Sequence, residues 1–96
     1  MKIYLDDTRK APKGFKLVKS YKECIRLLKT KQVEEISLDH DLGGSKTGND
    51  IILWIEEQCF LSDDYNPPKI SIHSANPVGV LKMKAGIENI IKIKGD

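Results

Sequence analysis

The chain has no apolar run longer than Ile51 to Ile55, so nothing in it is predicted to span a bilayer. It has only two cysteines, Cys24 and Cys59, far apart in apolar surroundings. That excludes a disulfide framework and points to two buried hydrophobes in a reducing compartment. It has no repeat, no low-complexity stretch and no Pro/Gly-rich linker. Ninety-six residues without such a break predict one domain over 1–96. Nor is there an excess of one charge: 16 basic residues stand against 14 acidic ones, net +2. That balance argues against nonspecific nucleic-acid binding, and no DNA specificity is evident. The opening Met-Lys-Ile-Tyr-Leu-Asp-Asp meets acids too soon for a signal peptide, so the expected compartment is the cytoplasm. Lys82, Lys84, Lys92 and Lys94 are best accommodated on a solvated helix face.

What is present is an alternation of short apolar runs and amphipathic segments. Lys2 to Asp6 reads as a strand, Lys10 to Gly14 as a loop, and Phe15 to Lys19 as a second strand. Ser20 is a candidate N-cap, with Glu23 completing a capping box. Tyr21, Cys24, Ile25 and Leu28 then form one stripe of a helix. Glu35 to Asp39 is the third strand. Leu42 to Gly48 is a loop, and Asn49 or Asp50 caps a second helix with Ile52, Ile55 and Cys59 inward. Trp54 is expected to pack between helix and sheet. After the Ser62 to Pro68 loop, Lys69 to His73 is the fourth strand, and Asn76-Pro77 opens the last helix. Its stripe is Val80, Met83, Ile87, Ile90 and Ile91, weakened by Gly79 and Gly86, with a tail that frays or forms a short edge strand.

The order β-β-α-β-α-β-α predicts an α/β fold with a mostly parallel sheet and helices on both faces. No helix joins the first two strands. The connection between them must cross one sheet face extended, leaving that face thinly covered near Lys10 to Gly14.

In open parallel sheets ligands bind beyond the carboxyl ends of the strands. Three strands here end in polar groups: Asp6-Asp7 with Arg9, then Asp39-His40-Asp41, then His73-Ser74-Ala75-Asn76. Asp6, Asp7 and Asp39 are hard oxygen donors that repel one another unless a cation neutralises them. Mg²⁺ or another divalent ion is the natural occupant; pairing with Arg9 and nearby lysines is the alternative. His40 and His73 are the only histidines, and imidazoles supply both acid and base near pH 7. Strand alternation sends His40 away from a site that Asp39 faces, unless the strand has already ended. Arg9, Ser74 and Asn76 are candidate phosphate ligands, though Asn76 equally suits a helix cap. Gly43-Gly44-Ser45-Lys46-Thr47-Gly48 fails the phosphate-loop pattern, because His40 stands where a glycine is required. It reads as a flexible loop over the site.

Ile3 to Asp7 (IYLDD), Phe15 to Leu28, and Ile36 to Leu42 (ISLDHDL) resemble the receiver domains of two-component signalling. Asp6 and Asp7 match the acidic pair of that superfamily, Asp39 its phosphoacceptor, and Ser74 its hydroxyl. The first receiver helix is missing, and no fifth strand with its lysine follows the last helix. The set Leu5-Asp6-Asp7-x-Arg9, LDHDLG from Leu38, WIEE from Trp54 and HSANP from His73 is similar to the cyclic-phosphate-processing receiver-like family, over nearly the whole chain.

The resemblance implies a receiver-like, flavodoxin-like three-layer sandwich with about four strands. It implies binding or processing of cyclic phosphates on nucleotides or RNA ends. The site carried over by position is Asp6, Asp7, Arg9, Asp39, His40, Asp41, His73, Ser74 and Asn76. Metal ligation then falls to Asp6, Asp7, Asp39 and Asp41, phosphate binding to Arg9, Ser74 and Asn76, and catalysis to His40, His73 and Asp39. Two functions stay open: a metal-dependent cyclic phosphodiesterase, or a non-catalytic signalling or ligand-sensing module. The face left by the missing helix is a place where a homodimer would form.

Overall fold

The computed structural model describes residues 1–95. Four strands form one sheet: β1 (Lys2–Leu5), β2 (Lys16–Val18), β3 (Glu35–Leu38) and β4 (Lys69–Ile72). Their order across the sheet is β2-β1-β3-β4, and every pair is parallel. Three helices complete the fold: α1 (Tyr21–Leu28), α2 (Gly48–Leu61) and α3 (Pro77–Lys94). The α/β receiver-like architecture with a four-stranded parallel sheet is therefore what forms.

The sandwich differs from the expected one in its layers. The β2-to-β3 and β3-to-β4 crossovers run in the same direction across the sheet. Right-handed connections then lay α1 and α2 on the same face. The core reports this directly. Ile3, Leu5, Val18, Ile36 and Leu38 are buried in one cluster with Cys24, Ile51, Ile52, Ile55, Met83 and Ile90 of the three helices. The intervening strand residue Tyr4 is also buried but lies outside that cluster. So the helices make one layer. Only the β1-to-β2 connection, which reverses direction, is left to cross the opposite face, as the short linker required. Among the described residues no helix covers that opposite face, because a linker of this length holds none.

Local sequence explains most element ends. Ser20 Oγ accepts the Glu23 amide at 3.2 Å, one half of the expected capping box. Helix α2 starts earlier than expected: Thr47, not Asn49 or Asp50, is its N-cap. Asp50 is the third helical residue, and its Oδ2 accepts the Thr47 amide at 2.7 Å and the Thr47 hydroxyl at 3.2 Å. Asn76 Oδ1 caps α3 by accepting the Gly79 amide at 3.0 Å, with Pro77 at the first position. Helix α3 runs on through Lys94 to a left-handed Gly95, in place of a frayed or stranded tail. Its two internal glycines are packing sites. A Cβ on Gly86 would lie 2.5 Å from Ile52, and one on Gly79 would meet the His40 ring at 2.4 Å. Ile91, expected on the buried stripe, is 62 % exposed. Trp54 packs against the core and meets Tyr65 edge-on.

Candidate functional site

The carboxyl ends of β1 and β3 are neighbours in the sheet, at the point where the strand order reverses. That adjacency, not sequence proximity, gathers Asp6, Asp7 and Asp39. One carboxylate oxygen from each lies within 4.8 Å of the other two.

Asp6 is fully buried. Its Oδ1 accepts the amides of Thr8 and Arg9, each at 2.8 Å, and the Thr8 hydroxyl at 3.2 Å. Its Oδ2 faces His73 Nε2 at 3.0 Å and Arg9 Nε at 3.8 Å. Burial works against ionising this carboxyl. The Arg9 and Thr8 amides, then the His73 and Thr8 side chains, outweigh it and hold the pKa below the ordinary value of 3.8. Asp6 is thus an anion whose lone pairs already shape the Thr8–Arg9 turn. Asp7 and Asp39 are more open. Asp39 Oδ1 accepts its neighbour His40's amide at 2.8 Å. Arg9 is the one cation among the described residues that pairs with any of the three carboxylates. Three hard anionic donors against one guanidinium could hold a divalent cation.

Glycine permits two close approaches here. Gly48, at the start of α2, presses on the Asp39 carbonyl, where a Cβ would lie 1.9 Å from the oxygen. Gly43 (φ +75°) passes Asp7, where a Cβ would sit 2.8 Å from Oδ2. The loop that carries Gly43 is closed at its base by an antiparallel bridge between Asp41 and Thr47 and by the Gly48 amide donating to the His40 carbonyl at 2.9 Å. It is a pinned loop beside the site, not a free flap over it.

The two histidines have different surroundings. His73 is held at both nitrogens: Nε2 on Asp6 and Nδ1 on Ser37 Oγ at 2.7 Å. Its ring stacks on Tyr4 at 3.9 Å and 8°. Burial depresses its pKa below 6.5, against the raising effects of Asp6 and Asp39. In that neutral ring Nε2–H donates to the Asp6 anion, and Nδ1 accepts the Ser37 hydroxyl. His73 positions Asp6. The His40 ring instead rests on Gly79 in the helix layer, with Nδ1 3.0 Å from Asp41 Oδ1. This is the side that strand alternation assigned to it.

Asp41, expected among the metal ligands, stands apart from the three-carboxylate group. It is exposed, and its partners are His40 and, more distantly, the Asn76 amide at 3.4 Å. The hydrogen bond from His40, chiefly, lowers its pKa. The other candidates are near but engaged. Arg9 Nη1 donates to the His73 carbonyl at 2.7 Å. Ser74 Oγ accepts the Asn76 amide at 3.0 Å, and Asn76 is the helix cap. Ser37, Tyr4 and Thr8 were not singled out in the sequence. Ser37 had one signal: a serine inside an otherwise buried strand needs a hydrogen-bond partner.

A family model, the cyclic-phosphate processing receiver domain, matches residues 1–89. The chain belongs to that family. No curated protein and no solved structure matches the chain. Among the described residues no helix of this receiver domain is long and apolar enough to cross a membrane.

Proposed function

We propose that this receiver domain binds a cyclic phosphate of a nucleotide or RNA end at its three-carboxylate site and hydrolyses it. The supporting observation is the convergence of Asp6, Asp7 and Asp39 with a single paired arginine. The residues fit Mg²⁺ or a similar divalent ion, which when bound supplies charge neutralisation for the phosphate oxygens. Asp7 and Asp39 present the open oxygens, while the Thr8 and Arg9 amides and His73 hold Asp6 in place. Arg9, tethered to the His73 carbonyl, directs its remaining N–H groups at the phosphate. In the reaction a water oxygen bonds to phosphorus, one ring P–O bond breaks, and the freed ribose oxygen takes a proton. Both nitrogens of His73 are engaged and the His40 ring lies in the helix layer, so solvent water carries the proton from the attacking water to the ribose oxygen.

Phosphorus NMR tests this with purified protein and a panel of cyclic phosphates: 2′,3′- and 3′,5′-nucleotides and a cyclic-phosphate-ended oligoribonucleotide, with and without Mg²⁺. Mg²⁺-dependent ring opening, lost in Asp39→Asn, is the expected result. A flat panel with Mg²⁺ still bound would reject hydrolysis. The domain would then be a ligand-sensing or phosphoryl-accepting module, the latter recognised by acetyl-phosphate labelling that Asp39→Asn removes.

A further inference from the structure

Beside the three carboxylates lies a cavity of about 460 Å³. It opens between the end of β2 and the loop that follows β3. Three of its walls are lysines: Lys19, Lys22 and Lys46. No carboxylate lines it. Its aromatic wall is Tyr21, which is partly buried against the core and so is held firmly. The face of that ring, not its edge, is turned to the loop, since Lys46 Nζ stands over it at 5.1 Å from the centroid.

This cavity and the acidic site share a wall. Leu42 and Gly44 line the cavity. Gly43 between them is the residue that passes against Asp7 Oδ2. On the other side, Lys19 directly follows Val18, whose carbonyl accepts the Asp6 amide at 3.0 Å. A ligand with its end at the carboxylates therefore extends into the cavity across one residue of loop.

A half-buried aromatic face ringed by cations suits a nucleobase with flanking phosphates. A cyclic mononucleotide has one phosphate, which the acidic site would take, leaving three lysines without an anion. A strand end supplies both a second phosphate and a second base. From this juxtaposition of cationic aromatic cavity and acidic site we infer that the substrate is the end of an RNA strand, its penultimate base stacked on Tyr21 and its upstream phosphates on Lys19, Lys22 and Lys46. The inference rests on the cyclic-phosphate reading of the acidic site and narrows it from nucleotides in general to RNA ends.

Fluorescence anisotropy tests it with a 5′-labelled tetraribonucleotide ending in a 2′,3′-cyclic phosphate, competed by the 2′,3′-cyclic mononucleotide, in Mg²⁺. The oligonucleotide is expected to bind at least tenfold more tightly than the mononucleotide. Tyr21→Leu keeps apolar volume but removes the π-face, and it should lose about tenfold for the oligonucleotide while leaving the mononucleotide unchanged. Lys46→Ala, on a surface loop, should make the slope of log affinity against log salt shallower by about 0.7. Tyr21→Phe should restore the wild-type affinity, separating stacking from folding. Equal binding of the two ligands, or a Tyr21→Leu variant that binds the oligonucleotide as wild type, overturns the inference and leaves the acidic site as proposed. Failure of both ligands to bind overturns the cyclic-phosphate reading as well.

Discussion

The two faces of the sheet are cut from the same strands and have opposite characters. Towards the helices, Ile3, Leu5, Ile36 and Leu38 are fully buried aliphatics. On the other face the alternate positions are Lys2, Tyr4, Glu35 and Ser37, linked by the Tyr4–Ser37 register and by a Lys2–Glu35 ion pair at 3.8 Å. The first face is continuous and closed by packing. The second is polar and ends in the Tyr4–His73–Asp6 stack at the carboxyl edge. A period of two lets a strand serve both purposes at once. Stability resides in one set of residues and the scaffold of the acidic site in the other.

That division is broken most severely where the two faces meet a backbone. Gly48→Ala puts a methyl group into the Asp39 carbonyl, so α2 must shift. A loss of about 3 kcal/mol in chemical denaturation is expected, together with weaker Mg²⁺ binding by calorimetry. Wild-type Mg²⁺ affinity in a folded Gly48→Ala protein would show that the helix start does not hold Asp39. Next comes the contrast between faces. Leu38→Ala should cost about 2–5 kcal/mol, whereas Glu35→Ala, removing a surface pair, should cost about 1 kcal/mol or less. Comparable losses would mean that the polar face also carries the stability.

Removing charge from the acidic site should separate stability from binding. Asp7→Asn is expected to weaken Mg²⁺ binding at least tenfold while raising the melting temperature measured without metal, because like-charge repulsion is relieved. A lower metal-free melting temperature would mean that the carboxylate is structural. A gentler probe is acid. The folded pKa of His73 is below 6.5 and that of Asp6 below 3.8, so for both groups the unfolded chain binds protons more readily. Their contribution is complete above pH 6.5 and is lost as pH falls, first through His73 and then through Asp6. Metal-free His73→Gln should therefore lose the part of the stability slope just below pH 6.5; an unchanged slope would place that titration elsewhere. The smallest effect belongs to the closed face. Burial pushes the Cys24 thiol up to about 12 and raises that of Cys59, so a thiol reagent at pH 8 should modify neither until the chain unfolds.

Much of this was legible in the residues. Asn76-Pro77 announced α3 because a side-chain acceptor followed by proline satisfies a helix start locally. Asp6, Asp7 and Asp39 were legible as a group because parallel strands present their carboxyl ends on one edge. The start of α2 was misplaced, since Thr47, Asn49 and Asp50 are all capable caps and the choice depends on Gly48 reaching the Asp39 carbonyl. Asp41 looked like a ligand by its place in LDHDLG. Its side chain is drawn instead to His40, whose ring is seated on Gly79 from another element altogether.

The sequence by itself determined the strand and helix order, the parallel sheet and the acidic edge, because periodicity, caps and turn residues act within a few positions of one another. Only the tertiary structure decided that the helices share one face, that His73 is spent on Asp6 and Ser37 while His40 is not, and that Tyr21 meets the loop beside Asp7. These depend on crossover direction and on contacts between residues 25 to 67 positions apart, such as Tyr21 with Lys46 and Asp6 with His73, which no local pattern encodes.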